Sequence, residues 1–283
     1  MSFFKKLILL FLSALLCSCA RGNTNYVTPQ YSNDFGVFLG LSTYQYEKLL
    51  TYKNVAIEIE EFEPEHLRVV KNYNIDIYAY LSVGSLEEYK DYYFDFKDYK
   101  LMEYENWPGE YWMDVTYTPW QDKMVSLANE FKDLGAKGLF LDNFDIYYQI
   151  ESGEWDPSFK EEIYQACKII LSRLSDTGMS LVVNSGSTFL ERLNEENDPL
   201  LSKIEWYAQE TVFTSIINYS GDVFGRQTEE EKEYYLSVIE FMKKTANILL
   251  IEYATDTEII EEIKTYANAN GLYFYIANST SLN

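Results

Sequence analysis

Histidine is almost missing from this chain, with His66 alone among 283 residues. With a single histidine, and that one on a predicted helix, a serine triad, an HExxH zinc site and a histidine-based phosphodiesterase are all disfavoured. His66 itself lies in Glu65-His66-Leu67-Arg68 on a predicted helix, where a solvated or packed role is the simpler reading. Cysteine is nearly as scarce, with three in all. Cys17 and Cys19 sit close to the N-terminus, so Cys167 is left alone and the body of the protein has no internal disulfide. Its core must hold it together, which about 250 residues can do as one domain. No Walker loop or dinucleotide fingerprint is present, and no glycine-rich phosphate turn follows an early strand. Basic residues are few: 23 Lys and Arg face 45 Asp and Glu, a formal net charge of −22. Nucleic acid and anionic lipid surfaces are repelled by such a field, and cationic ligands are attracted.

What is present begins with a leader. Lys5 and Lys6 precede the apolar run from Leu7 to Leu16, which is too short to span a bilayer comfortably and has the form of a secretory signal. Its end, Leu16-Cys17-Ser18-Cys19, resembles a bacterial lipobox. The expected organisation is a signal peptide over 1–18, a flexible tether over 19–33 that begins with lipidated Cys19, and a globular domain over 34–283. Loss of Lys5 and Lys6 takes the net charge from −22 to −24. An exported monomer is expected, held at the bacterial cell envelope through its lipid alone.

Apolar runs alternate with amphipathic stretches along the rest of the chain. Candidate strands run from Val37 to Leu41, Val55 to Ile59, Ile75 to Val83, Tyr111 to Val115, Leu139 to Asp142, Ser180 to Asn184, Ile204 to Gln209, Ile248 to Tyr253 and Leu272 to Ile276. Helices with readable ends lie between them: Thr118 and Pro119 to Gly135, Asp156 and Pro157 to Gly178, a Thr228/Glu231 capping box to about Ala246, and Asp256 or Thr257 to Gly271. Such alternation implies parallel strands with crossover helices. The fold class is therefore α/β, a single (β/α)8 TIM barrel with one extra strand near the C-terminus.

The strand ends carry the chemistry. Gly138-Leu139-Phe140-Leu141-Asp142-Asn143-Phe144-Asp145 is a buried-strand pattern that runs into two acids and an amide. Acids or amides also close the neighbouring runs, at Glu58, Glu60 and Glu61, at Asp114, at Asn184, at Gln209 and Glu210, and at Glu252 beside Tyr253. In a barrel these ends share one rim, where mutual repulsion lifts some carboxyl pKa values and separates acid from base. Any single one of them is equally suited to capping a helix. A carboxylate cluster could also take calcium or magnesium. Two carboxylates flanking a sugar bond need no metal or cofactor, and none is expected here.

At these residues the sequence resembles glycoside hydrolase family 114, the endo-α-1,4-polygalactosaminidases and their lipoprotein relatives. The resemblance rests on Tyr80-Leu81-Ser82-Val83-Gly84 with Glu87-Glu88-Tyr89-Lys90, on Tyr111-Trp112-Met113-Asp114-Val115, on Gly138 to Asp145, and on Asn184, Gln209-Glu210 and Glu252-Tyr253-Ala254. Ser85 stands where the family has a glutamate, and Lys90 where it has arginine. The resemblance implies hydrolysis of α-1,4-linked galactosamine polymers, a cationic amino-sugar polysaccharide, with Asp142 as nucleophile or base and Glu210 as general acid, or the reverse. Under it Asp145 tunes Asp142, while Tyr80, Asp114, Asn143, Asn184, Glu252 and Tyr253 contact the sugar. The aromatic run from Asp91 to Trp112 then forms either a stacking rim or a locally packed loop. Chitinase-like barrels need a D-x-x-D-x-D-x-E strand end that this chain lacks. A carbohydrate-binding lipoprotein without turnover is the alternative, and retention of both Asp142 and Glu210 favours the enzyme.

Overall fold

The computed structural model describes residues 33–283. The signal peptide, Cys19 and nearly all of the tether therefore lie outside the described residues. Eight parallel strands form the barrel wall in sequential order: β1 (Asn33–Phe38), β2 (Tyr52–Ile57), β3 (Asp76–Ser82), β4 (Gly138–Asp142), β5 (Ser180–Asn184), β6 (Trp206–Glu210), β7 (Asn247–Tyr253) and β8 (Tyr273–Ala277). The sheet is nearly closed. Phe38 of β1 meets Tyr275 of β8 edge-on at 5.5 Å, and Gly40 N–H donates to the Leu282 carbonyl at 3.3 Å.

Seven α-helices, α1 (Pro64–Asn72), α2 (Thr118–Leu134), α3 (Ile146–Ser152), α4 (Pro157–Ser175), α5 (Ser187–Glu195), α6 (Glu229–Met242) and α7 (Thr257–Asn270), cover the outside with a 3-10 stretch at Thr43–Thr51. Their ends follow their sequence. Pro119 and Pro157 sit in the first turns of α2 and α4, the Asp156 side chain accepts from Ser158 N–H, and α2 stops at Gly135 with φ 100°. Thr228 Oγ1 accepts from Glu231 N–H at 3.2 Å to open α6. Residues on these helices bury apolar stripes, such as Met124, Leu127 and Phe131 on α2, against the wall.

Inside the barrel, alternate residues of each strand stack in layers. Phe35 packs against Tyr78 at 5.4 Å and Trp206 at 5.2 Å, and Trp206 meets Tyr273 at 4.8 Å, which fills the lower layer with rings. Tyr80 and Phe140 lie at 6.5 Å one step higher. At the next step the same parity brings up Asp142, Asn184 and Glu210.

Two strand expectations are corrected. The run from Tyr111 to Val115 is not a barrel strand: Glu110–Met113 belongs to a three-stranded antiparallel sheet with Ser85–Glu87 and Lys100–Glu103, inserted between β3 and α2. A parallel strand needs a crossover, and this insertion holds only the one-turn helix Tyr93–Phe96 and a 3-10 turn at Lys97–Tyr99. The expected extra strand near the C-terminus is instead β8, the eighth stave of the wall. A further hairpin, Thr214–Asn218 with Val223–Arg226, follows β6.

Candidate active site

Three consecutive strands end in the same way. Asp142, Asn184 and Glu210 close or nearly close β4, β5 and β6, and each is followed by a residue with positive φ: Asn143 at 67°, Ser185 at 54° and Thr211 at 56°. Left-handed backbone is easy for Asn and costly for β-branched Thr, and such strain gathers at functional sites. The ladder nonetheless continues through two of these residues, since Ser185 N–H donates to the Ala208 carbonyl at 2.8 Å and Thr211 N–H to the Ile251 carbonyl at 2.9 Å. The chain bends away only after its last inward side chain has been placed in the mouth.

One amide links the acids. Asn184 Nδ2 donates to Asp142 Oδ1 at 3.0 Å and to Glu210 Oε1 at 2.7 Å. Those two oxygens therefore lie no farther apart than the two bonds laid end to end. Asp142 also accepts from Asn143 N–H at 2.9 Å and from the Tyr80 hydroxyl at 3.2 Å. The second oxygen of Glu210 accepts from the Tyr253 hydroxyl at 2.9 Å.

Burial lifts both carboxyls, to different degrees. The Glu210 carboxyl is pushed up to about 6 by desolvation and then by the Asp142 charge, against the bonds from Asn184 and Tyr253. Desolvation also raises Asp142, but three donors, Asn184, Asn143 N–H and Tyr80, oppose it. Asp145 accepts from Gly186 N–H at 3.0 Å, and burial followed by the Asp142 charge pushes it up to about 7. The charge on Asp142 is thus felt at Asp145, so the two acids are electrostatically linked.

The mouth opens into a cleft of about 810 Å³ that reaches from Leu39, Glu58 and Glu87 past the acid pair to Tyr148, Glu231 and Tyr234. Glu58, Glu87, Glu110, Asp142, Asp145, Glu210 and Glu231 put seven carboxyl groups on its walls, and no Lys, Arg or His among the described residues lines it. Of the aromatic run from Asp91 to Trp112, Tyr104, Trp107 and Trp112 face the cleft, whereas Tyr92 and Phe96 pack on Trp120 in the core. The run is thus divided, part of it lining the cleft and part packed locally. Lys90 lies behind the wall, bonded to Glu58 and Glu60 at 2.8 Å each.

Tyr80, Asn184 and Tyr253, expected to contact the sugar, converge on the acid pair and bond to it, and Asn143 and Asp145 adjoin it. Asp114 does not: it is absent from the cleft lining, and its carboxylate accepts from Thr116 N–H at 3.0 Å in a local turn. Its strand belongs to the inserted sheet rather than the barrel. Glu252 is also displaced from its expected role. It is fully buried, pointing opposite to Tyr253, and accepts from Phe213 and Thr214 N–H at 3.0 Å each and from the Thr214 hydroxyl at 2.6 Å. It pins the start of the hairpin that follows β6. Sequence reasoning missed Glu110, which burial pushes up to about 7 and whose carboxylate bonds to Ser85 and Asn143. Only its pairing opposite Glu87 across the inserted sheet brings it to the cleft.

Comparison with known proteins gives the following likenesses. Residues 18–281 match the sequence profile of Glycoside-hydrolase family GH114. An uncharacterized protein of Thermotoga maritima is 23% identical over 249 residues, 82% of this chain and 74% of that one. The glycoside hydrolase domain of PelA from Pseudomonas aeruginosa superposes with a TM-score of 0.72 at 17% identity, over 88% of this chain and 95% of that domain. Aspergillus fumigatus Ega3, solved in complex with galactosamine, gives a TM-score of 0.65 at 14% identity, over 90% and 94% of the two chains.

Proposed function

The chain belongs to glycoside-hydrolase family GH114, and on that premise we propose that it cleaves an α-1,4-linked galactosamine polymer, as an endo-polygalactosaminidase type of enzyme, with Asp142 and Glu210 as its two carboxylates. Glycoside hydrolysis is the activity of the family, and a polysaccharide is its substrate. The bridging of both acids by the one Asn184 amide carries the assignment of the pair.

Glu210 is poised as the acid. With its carboxyl near 6, it holds a proton in part of the population around neutrality and can pass it to the leaving glycosidic oxygen. Asp142, held by three donors, is the ionised partner. Two oxygens bonded to one nitrogen at 3.0 and 2.7 Å are closer than the roughly 6.5–9.5 Å that inverting enzymes use to seat a water between their acids. The separation favours direct attack by Asp142 on the anomeric carbon, with the leaving group departing as Glu210 protonates it. Water activated by the now ionised Glu210 then breaks the glycosyl ester, and the anomeric configuration is retained.

The substrate class rests on charge. Seven carboxyl groups line the cleft, and the one ammonium near them, Lys90, pairs with Glu58 and Glu87 from outside the lining, so the remaining five suit a sugar that carries an ammonium group. Ega3 holds galactosamine in its solved structure, which supports the same reading by likeness. Tyr104, Trp107, Tyr148, Tyr219 and Tyr234 add ring faces and hydroxyls on which pyranose rings can stack. We assign the protein to the bacterial cell envelope, anchored through a lipid on Cys19, on the strength of the lipobox-like Leu16-Cys17-Ser18-Cys19. Reducing ends released from deacetylated α-1,4-galactosamine polymer, from its N-acetylated form and from a neutral α-glucan test the substrate. The deacetylated polymer should be cut fastest, with a rate that falls as salt is added. Equal cleavage of the neutral glucan would refute the substrate.

A further inference from the structure

Asn143 lines the cleft, but its side-chain amide is taken up by its neighbours. Its side-chain Nδ2 lies 2.9 Å from Ser82 Oγ, 2.9 Å from Ser85 Oγ and 3.1 Å from Glu110 Oε1. Two hydrogens face three acceptors, so none is left to give to a sugar. Ser85 Oγ also donates to the same Glu110 oxygen, which ties the inserted sheet into the cluster. On the opposite side, the Asn143 carbonyl sits so close to Gly84 that a Cβ there would come within 1.9 Å of it. The residue is buried, and its backbone is held in the left-handed region at φ 67°. In that conformation its N–H points back at Asp142 Oδ1, 2.9 Å away.

We propose that Asn143 is a positioning residue for Asp142, and that Glu110 on the inserted sheet is the anchor that locks it. The amide of Asn143 is clamped by Ser82, Ser85 and Glu110, the clamp holds the left-handed backbone, and the backbone aims an N–H at the carboxylate. This inference rests on the reading of Asp142 as a catalytic carboxylate. It departs from the expectation that Asn143 contacts sugar.

The two views predict different behaviour for two small substitutions. Asn143→Ala and Asn143→Gly both delete the amide, so loss of a sugar contact would damage them alike. Positioning would not, because Gly adopts positive φ freely and Ala does not. A hydrogen bond to a charged group carries enough free energy that its loss lowers kcat by roughly 10- to 100-fold, the fall expected for Asn143→Ala. Asn143→Gly should recover about fivefold or more of that loss, the scale of the left-handed penalty that Ala pays and Gly does not. Equal kcat in the two variants overturns the proposal. Should Asn143→Ala fail to fold, the Glu110 pair carries the same test: Glu110→Gln keeps the accepting oxygen and should exceed Glu110→Ala in kcat by about fivefold, a margin set by the same clamp. Equal values there overturn it as well.

A wild-type protein inactive on every polymer would sink the glycosidase reading without deciding this one. Titration of the Asp142 carboxyl carbon by NMR, assigned with Asp142→Asn, then serves as the readout. Its midpoint should lie higher in Asn143→Ala than in Asn143→Gly, because a donated N–H favours the ionised form. Coincident midpoints overturn the proposal.

Discussion

Replacing Asn184 with Ala separates the two acids from the donor they share. The bonds lost are 3.0 Å to Asp142 and 2.7 Å to Glu210, and each favours the ionised form of its carboxylate. Little else is lost, since Asn184 Oδ1 has no partner among the described residues. A hydrogen bond to a charged group is worth about 1.5–3 kcal/mol. Because one pKa unit corresponds to about 1.36 kcal/mol and water entering the gap restores part of the loss, each carboxyl should rise by about one unit. The acid limb of the kcat/KM profile reports Asp142 ionising and the alkaline limb reports Glu210 losing its proton. Both limbs should therefore move up together, carrying the optimum about one unit toward alkali. The assay is kcat/KM on the galactosamine polymer from about pH 4 to about pH 9, beside wild type. The maximum itself should fall about tenfold or more, as the pair loses its common tether. An optimum that stays in place or moves toward acid would refute the argument, since it would mean that the amide does not set the ionisation of the pair.

Stability should depend on pH in an unusual direction. Burial lifts Glu252 from 4.5 to about 7, and Glu110 from 4.5 and Asp145 from 3.8 to about 7 each. The folded state then binds more protons than the unfolded chain between about pH 4.5 and about pH 7, so stability falls as pH rises through that window, by about 3 kcal/mol for Glu252 alone. Thermal unfolding should give a higher Tm at about pH 5 than at about pH 8, and the opposite order would contradict the shifts. Proton NMR of the first-formed reducing end should show the α anomer, as the short carboxyl separation requires, whereas a β product would point to inversion. Cys19→Ala should release the protein from the membrane fraction, and unchanged fractionation would remove the lipid anchor.

Much of this architecture is legible in the sequence because buried parallel strands and amphipathic helices write different periods. Asp142, Asn184 and Glu210 stand out as polar ends to apolar runs. Strand parity is harder to read at the same ends. Glu252 and Tyr253 are adjacent, and only the barrel determines that Tyr253 faces the mouth while Glu252 turns to the backbone of Phe213 and Thr214. Asp114 closes a strand-like run as well as any of them, but its run pairs antiparallel in an inserted sheet, so its end does not share the rim. Glu110 starts that same strand, and its approach to Asn143 depends on long-range pairing with the Ser85–Glu87 segment. No local pattern encodes such a contact. The sidedness of Asn143 was hidden for the same reason: Ser82, Ser85 and Glu110 are spread along the chain and meet only after the insertion folds over the mouth.

Asp142→Asn and Glu210→Gln test most directly whether Asp142 and Glu210 act as the hydrolytic pair. Both changes keep shape and hydrogen-bonding reach, so the variants should fold and still bind galactosamine polymer. Reducing-end release should fall by at least about 10²–10⁴-fold in each, the scale of lost acid–base assistance. Hydrolysis that survives either change at the wild-type rate, while binding is unaltered, would contradict the assignment.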